Sequence, residues 1–189
     1  MHHKGTKTLE SGRLLLRQFE EQDAQAMYED WASDPDVVQF LTWPVHESVE
    51  FSRSILREWE GQYAQMDCYN WAIVLKENGD TPIGGISVVY KDDNAQRAEL
   101  GYCISKAWWN KGITSEAMRL VMAYLFDTVQ FNRIEAKHDT ENPGSGKVML
   151  KCGLQYEGTN RSGGWNNRGI CDLAVYGILA EEYAALKRA

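Results

Sequence analysis

The chain has 189 residues, the usual length of a single globular domain. Hydrophobic residues make up 43% of the sequence and charged residues 25%, a composition that excludes intrinsic disorder and low-complexity structure. The formal net charge is −7, and no run of basic residues is longer than the pair Lys187-Arg188. Because nucleic-acid binding needs a basic face that neutralises phosphates, we expect no nucleic-acid partner.

The cysteines and the apolar segments exclude further classes of protein. Four cysteines are spread along the chain, at Cys68, Cys103, Cys152 and Cys171. They are too far apart for a zinc motif and too few for a disulfide scaffold, so we expect free thiols and no metal. Residues 1–6 contain no apolar signal-peptide core, and the most apolar stretch, 118–126, is half the length of a membrane span. We therefore expect a soluble, cytoplasmic protein with no membrane partner.

Apolar spacing in the first half of the chain predicts two helices between strands. Ala24, Met27, Tyr28 and Trp31 recur at helical spacing, and Asp34-Pro35-Asp36 ends that pattern. The elements expected in this half are a strand at 13–17, helices around 24–31 and 47–62, and strands at 71–75, 83–90 and 98–104. Polar turns separate the last three strands, which favours an antiparallel meander.

The second half predicts a buried helix followed by two more strand and helix patterns. Residues 114–127 are apolar nearly all round, as expected of a helix in the middle of a domain. A strand at 133–138 precedes a helix that Asn142 caps and Gly153 ends. Strands at 154–159 and 171–179 follow, joined by a turn at 162–164.

The order β-α-α-β-β-β-α-β-α-β-β defines the expected architecture. It predicts an α/β (α+β) fold with a mixed, mostly antiparallel central sheet of about seven strands and helices on both faces. The sequence contains no internal repeat or linker, so we expect one domain over residues 1–189, with a core at about 11–183.

The loop after the strand at 98–104 carries a candidate anion site. Lys111 and Gly112 lie directly before the buried helix, whose first main-chain amides are unpaired and partly positive. Glycine permits close approach of a phosphate, and lysine adds charge. A plain connection between a strand and a helix explains the same residues equally well, because one glycine is far from a complete phosphate-binding fingerprint.

The same loop resembles a known motif. Trp109-x-x-Gly112-x-Thr114 is similar to the acetyl-CoA-binding pattern Gln/Arg-x-x-Gly-x-Gly/Ala of the GNAT N-acetyltransferases. The segments ELGYCI and WWNKGITSEAM resemble the RimJ/RimL-like branch, which acetylates the N-terminal α-amines of proteins, including ribosomal proteins. RLLLRQFEEQDA, RIEAKHDTENPGSGKVMLKCGLQYEGTNR and the final strand extend the resemblance over about 11–183. Three residues depart from the pattern: Trp109, Thr114 and Met149, which stands where many members have a tyrosine acid.

The resemblance implies acetyl-CoA as co-substrate, no metal, and a set of site residues. The implied cofactor-binding residues are Cys103, Ile104, Lys111, Gly112, Ile113, Thr114, Ser115, Asn142 and Ser145. Glu99 is the expected base for the acceptor amine, directly or through water, and Ser145 the expected proton donor to the thiolate. Main-chain amides between Leu100 and Cys103 are expected to stabilise the oxyanion, at a bulge that Gly101 would permit.

Structural roles explain each of these residues as well. Glu99 fits an ion pair at a strand edge, Asn142 a simple helix cap, and Ser145 a first-turn hydroxyl without chemistry. Glu116 is a weaker candidate for the base, and His138 fits a structural role better than a catalytic one.

The expected function is acetyl-CoA-dependent transfer of an acetyl group to a primary amine in a ternary complex. The resemblance favours the N-terminal α-amine of a ribosomal or other protein, with Trp43 and Trp165 as candidate lining of the acceptor pocket. A small-molecule amine acetyltransferase, for a polyamine, an amino acid or an antibiotic, is the alternative enzyme. A catalytically silent acyl-CoA-binding domain is the alternative from another class. We expect a monomer or homodimer.

Overall fold

The structure, a computed structural model, describes residues 1–188. The strands are β1 (Leu9–Glu10), β2 (Leu14–Arg17), β3 (Asn70–Leu75), β4 (Pro82–Asp92), β5 (Arg97–Ile104), β6 (Arg133–Asp139), β7 (Gln155–Asn166) and β8 (Gly169–Leu179). The helices are α1 (Ala24–Met27), α2 (Pro35–Val38), α3 (Val49–Gln62), α4 (Ile113–Ala123), α5 (Pro143–Lys151) and α6 (Ala180–Leu186).

The strands form one sheet in the order β1-β2-β3-β4-β5-β6-β8-β7. All neighbours are antiparallel except β5 and β6, which are parallel. The predicted fold class is confirmed, and residues 1–188 contain eight strands because the two-residue β1 extends one edge. The predicted meander is β3-β4-β5.

The sheet splits between β5 and β6. The two strands pair only where Arg97–Glu99 meets Arg133–Glu135, although β5 continues to Ile104. Beyond Glu99, β5 is paired with β4 alone. Since the hydrogen-bonding groups of a strand point alternately to its two sides, alternate amides and carbonyls of residues 100–104 face the opening.

The bulge predicted at Gly101 of β5 is wrong, because the bulge lies on the neighbouring strand β4. The register shifts between Val88 and Tyr90 of β4, so the extra residue is Val89 on the neighbouring strand. Gly101 has a different role, because a Cβ atom there would lie 2.6 Å from Cγ1 of Val89. The glycine therefore provides the space that the bulged valine occupies.

Two apolar clusters hold helices on the two faces of the sheet. Met118 and Val121 of α4 pack with Trp71 and Leu100 in the larger cluster, as the apolar pattern of this helix predicts. Phe19, Trp31 and Leu56 belong to the smaller cluster, which holds α1 and α3 against the opposite face.

Three local features differ from the predictions or add to them. The first predicted helix, 24–31, is observed as α1 followed by a wider helical turn at Tyr28–Ala32. Asp34 comes after it and starts the new helix α2, because its Oδ1 accepts from the Asp36 amide at 2.8 Å. The turn expected at 162–164 is wrong: these residues interrupt the register of β7, and the chain reverses at 167–168, before Gly169 with φ of +111°. The helix α6 has no predicted counterpart, and its Tyr183 ring stacks on Phe126 at 4.7 Å between centroids.

The glycines of α5 provide a matched stability test. A Cβ at Gly146 would lie 2.6 Å from Nε2 of buried His138, whereas a Cβ at Gly144 meets only Oδ1 of Asn142 at 3.5 Å. We expect Gly146→Ala to lower the free energy of unfolding by about 1–3 kcal/mol, because overpacking displaces the imidazole. Gly144→Ala should raise it by up to about 1 kcal/mol through helix propensity. Denaturant titration measures both, and an equal gain in the two variants would contradict the packing role of Gly146.

Candidate active site

A crevice of about 430 Å³ lies where β5 and β6 separate. Its walls are the end of β5, the loop and first turn of α4, most of α5, and the segment 36–41. The crevice thus brings together the strand, loop and helix start that the sequence singles out.

Most of the predicted cofactor-binding residues line this crevice: Cys103, Ile104, Gly112, Ile113, Thr114, Ser115, Asn142 and Ser145. Lys111 is an exception. Its ammonium lies over the Trp108 ring, 4.3 Å from the centroid, and its side chain is not part of the wall. A cation–π contact therefore turns its charge away from the crevice, and its role in cofactor binding stays a prediction.

The start of α4 is open to an anion. Gly112 occupies the N-cap position with φ of +74°, and no side chain within residues 1–188 caps this helix. The amides of Ile113, Thr114 and Ser115 are those of a first turn, which find no partner inside their helix. By contrast, α5 is capped, because Oδ1 of Asn142 accepts from the Ser145 amide at 3.3 Å. The α4 amides can therefore bind phosphate oxygens.

Two side chains from the turn between β1 and β2 hold this loop in place. Arg13 donates from Nε to Glu116 at 2.7 Å and from Nη2 to the carbonyl of Lys111 at 3.2 Å. Ser11 Oγ donates to the same carboxylate at 2.6 Å. Burial raises the pKa of Glu116, but the hydrogen bonds from Ser11 and Arg13 outweigh it and lower the pKa below its ordinary value. Glu116 therefore stabilises the loop through these hydrogen bonds, and this structural role disfavours it as a base.

Glu99 lies where the two strands part, outside the crevice wall. Its carboxylate accepts from Nζ of Lys137 at 2.6 Å, and it opposes Glu135 in the last β5–β6 pair. Burial lowers the pKa of Lys137, but the hydrogen bond and charge of Glu99 and the charge of Glu135 raise it above its ordinary value overall. The ion pair therefore joins the two strands just beyond their last backbone pairing, and the expected structural role of Glu99 is observed.

Ser145 has a partner that the sequence does not reveal. The hydroxyl of Tyr102 on β5 lies 3.0 Å from Oγ of Ser145 and donates to its carbonyl oxygen at 3.0 Å. Burial raises the pKa of Tyr102 above its usual range, so the phenol keeps its proton at neutral pH. Strand alternation puts Tyr102 on the same face of β5 as Leu100 and Ile104, and this is the sequence signal from which its position could be predicted.

Other candidate groups are unsuited to chemistry. Met149, which stands where many members of the resembled family have a tyrosine acid, is buried and faces the core. His138 lies beneath α5, with Nδ1 2.7 Å from the carbonyl of Asp139, and its Nε2 finds no hydrogen-bond partner within residues 1–188. Burial raises the pKa of the Cys103 thiol to about 11, so this crevice cysteine is protonated at neutral pH and a poor nucleophile.

The β7–β8 turn links the two walls of the crevice. Nδ2 of Asn167 donates to the carbonyls of Val38 and Trp43, both at 2.8 Å. Arg168 forms an ion pair with Glu141, which lies in the opposite wall. Neither Trp43 nor Trp165 lines the crevice, and the Trp165 side chain is exposed on the hairpin.

Comparison with known proteins identifies the family. Residues 13–155 match the family model of the acetyltransferase (GNAT) domain. The chain belongs to the GNAT family of acetyltransferases, as its split sheet and uncapped helix start indicate. It is an N-acetyltransferase with acetyl-CoA as its co-substrate.

Individual relatives cover nearly the whole chain. The uncharacterized N-acetyltransferase p20 of Bacillus licheniformis is 31% identical over 178 residues, which are 94% of this chain and 99% of p20. The crystal structure of a GNAT acetyltransferase from Bacillus anthracis superposes with a TM-score of 0.80 at 28% identity, over 93% of this chain and 99% of that one. Ribosomal-protein-S5-alanine acetyltransferase from Vibrio fischeri shares the fold, with a TM-score of 0.81 at 17% identity over 94% and 98% of the two chains.

Two further observations concern metal binding and membrane-spanning helices. Within residues 1–188, no three His, Cys, Asp or Glu side chains are grouped closely enough to hold a metal ion. No helix in the same part of the chain has both the length and the apolar character needed to cross a bilayer.

Proposed function

We propose that this chain acetylates the N-terminal α-amine of a protein, by direct transfer from acetyl-CoA in a ternary complex. One observation carries the proposal: an opening in the sheet lies beside a helix start whose amides are free. This arrangement offers an anion site for a diphosphate and strand edges for the amides of a pantetheine arm. A protonated Cys103 disfavours an acetyl-cysteine intermediate, which supports direct transfer.

In this proposal, different residues around the opening bind different parts of acetyl-CoA. Ile113, Thr114 and Ser115 hold the diphosphate through their amides, and the free backbone edge of residues 100–104 holds the pantetheine arm. Amides on that edge also donate to the carbonyl oxygen as negative charge develops on it. Asn142 caps α5 and faces the same arm.

Two groups move protons in this proposal. Glu99 accepts the proton of the acceptor amine, directly or through a water molecule, and gives up its ion pair with Lys137 as it does so. Ser145 donates its hydroxyl proton to the departing thiolate and regains a proton from water, while the Tyr102 hydroxyl, 3.0 Å away, orients it. The contact with Tyr102 supports the role of Ser145, and the position of Glu99 where β5 and β6 part supports its role as base.

The charges at the opening favour an acceptor with one cationic group. Asp36 and Glu141 in the crevice wall are paired with Lys106 and Arg168, and Glu99 with Lys137. A polyamine would need unpaired acids for its additional ammonium groups, whereas a protein N-terminus brings one amine. The activity named for the Vibrio fischeri enzyme, which has the same fold, agrees with a chain-end acceptor. A small mono-amine is the second candidate, because the Asn167 contacts close one side of the opening.

The experiment is a turnover assay with acetyl-CoA. The protein is incubated with acetyl-CoA and a panel of acceptors: short peptides with free or blocked N-termini, single amino acids and polyamines. Released thiol is measured, and products are located by mass spectrometry. We expect acetylation of free α-amines and none of the blocked peptides. Binding of acetyl-CoA with no turnover on any acceptor would instead indicate the silent acyl-CoA-binding domain.

Ser145→Ala and Tyr102→Phe test the proton donor. Each variant removes one hydroxyl of the pair, so we expect kcat to fall by about 10²-fold for Ser145→Ala and by less for Tyr102→Phe, with little change in the affinity for acetyl-CoA. Ser54→Ala is the control, since that hydroxyl is exposed and donates to a carbonyl within α3. Unchanged kcat in Ser145→Ala, measured at saturating substrates, would leave Ser145 as a helix-turn residue only.

A further inference from the structure

In the crevice wall, the acidic side chains form ion pairs and the basic side chains do not. Four of them line it: Asp36, Glu141, Lys147 and Lys151. The two acids pair with Lys106 and Arg168, whereas neither lysine takes part in an ion pair within residues 1–188. The wall therefore carries two uncompensated positive charges, in a protein with a formal net charge of −7.

Both lysines lie on one part of the crevice. They are four residues apart on α5, so their side chains leave the same face of the helix. Arg119 adds a third cation, which forms no ion pair in the described chain, and its guanidinium donates to the carbonyl of Lys151. Cys152 contacts the carbonyl of Ser115 at 3.3 Å, so the end of α5 adjoins the first turn of α4.

This position matches the far end of coenzyme A. With the diphosphate on the α4 amides and the pantetheine arm along β5, the adenosine must extend outward past the diphosphate, where α5 ends. Its 3′-phosphate is a monoester that carries nearly two negative charges at neutral pH. An acidic protein repels such a group unless local cations compensate.

We propose that Lys147 and Lys151, supported by Arg119, form a binding site for the 3′-phosphate of coenzyme A. The site makes the enzyme select acetyl-CoA over its 3′-dephospho form. Lys147 and Lys151 are thereby specificity-determining residues, and this inference rests on the proposed placement of acetyl-CoA in the crevice.

The test compares two ligands by calorimetry at one ionic strength: acetyl-CoA and 3′-dephospho-acetyl-CoA. We expect the wild-type protein to bind acetyl-CoA about tenfold or more tightly than the dephospho form. The double variant Lys147→Gln/Lys151→Gln should lose this preference and bind the dephospho form within about twofold of wild type. Glutamine has nearly the helix propensity of lysine, and binding of the dephospho form shows that the variant is folded.

Two further variants separate local from general charge effects. Lys4→Gln/Lys7→Gln makes the same change in net charge at exposed positions outside the crevice wall, and it should keep the preference. Lys147→Arg/Lys151→Arg should also keep it. Equal binding of the two ligands by the wild-type protein, or equal losses for both in the glutamine variant, overturns the inference while leaving acetyl-CoA in the crevice. Failure of the wild-type protein to bind either ligand overturns the proposed function as well.

Discussion

Replacement of Gly112 by valine is expected to abolish tight binding of acetyl-CoA. Gly112 has φ of +74° at the start of α4, and a Cβ atom there would meet only Nη2 of Arg13, at 3.9 Å, in otherwise open surroundings. A branched side chain there strains the left-handed backbone and projects into the space that a diphosphate needs. We expect the dissociation constant, measured by calorimetry, to rise at least about tenfold, equivalent to about 1.4 kcal/mol.

Gly79→Val is the matched control for this prediction. Gly79 has φ of +72° in an exposed turn, and a Cβ there meets nothing within 4 Å. The ψ of Gly79 is −140°, against 5° at Gly112, so Gly79→Val should lose at least as much stability as Gly112→Val from the unfavourable backbone conformation. Only the change at Gly112 should weaken acetyl-CoA binding. Equal affinities in the two variants would place the diphosphate away from this loop.

Glu99→Gln is expected to lower kcat by about 10²-fold to 10⁴-fold at neutral pH while leaving the affinity for acetyl-CoA nearly unchanged. The amide oxygen of glutamine can still accept the hydrogen bond from Lys137, so the contact between the strands survives while the proton acceptor is lost. The measurement is kcat at saturating acetyl-CoA and acceptor, for the wild-type enzyme and the variant.

Glu157→Gln is the control for Glu99→Gln. Glu157 pairs with Arg133, which also contacts Glu135, so it belongs to the same charged network but lies away from the opening. We expect its kcat to match that of the wild type. If Glu99→Gln also keeps the wild-type kcat, Glu99 serves only to join β5 to β6, as its ion pair with Lys137 already does.

Local signals in the sequence were sufficient for much of the fold. Asn142 and Pro143 start α5, and Gly153, with φ of +90°, follows its end, because caps depend on a few neighbouring residues. The hairpin turn was mislocated because a glycine pair can serve close packing instead of a turn. Gly164 does so, since a Cβ there would lie 2.6 Å from Cδ1 of Leu173.

The candidate site was predictable only in part. The motif around Gly112 located the loop and the helix start, because backbone geometry follows from local sequence. Side-chain partners did not follow: Glu116 is held by Arg13 from 103 residues away, and Ser145 meets Tyr102 across 43 residues. Such pairs depend on the way the sheet brings distant strands together, for which a single sequence carries no direct signal.

The central claim is that main-chain amides at the start of α4 hold the diphosphate of acetyl-CoA beside the opening in the sheet. A crystal structure of the protein with saturating coenzyme A tests it most directly. We expect phosphate oxygens within hydrogen-bond distance of the amides between Lys111 and Ser115, and the pantetheine arm along Tyr102–Ile104. Coenzyme A bound elsewhere, or an empty crevice at saturating concentration, would contradict the claim.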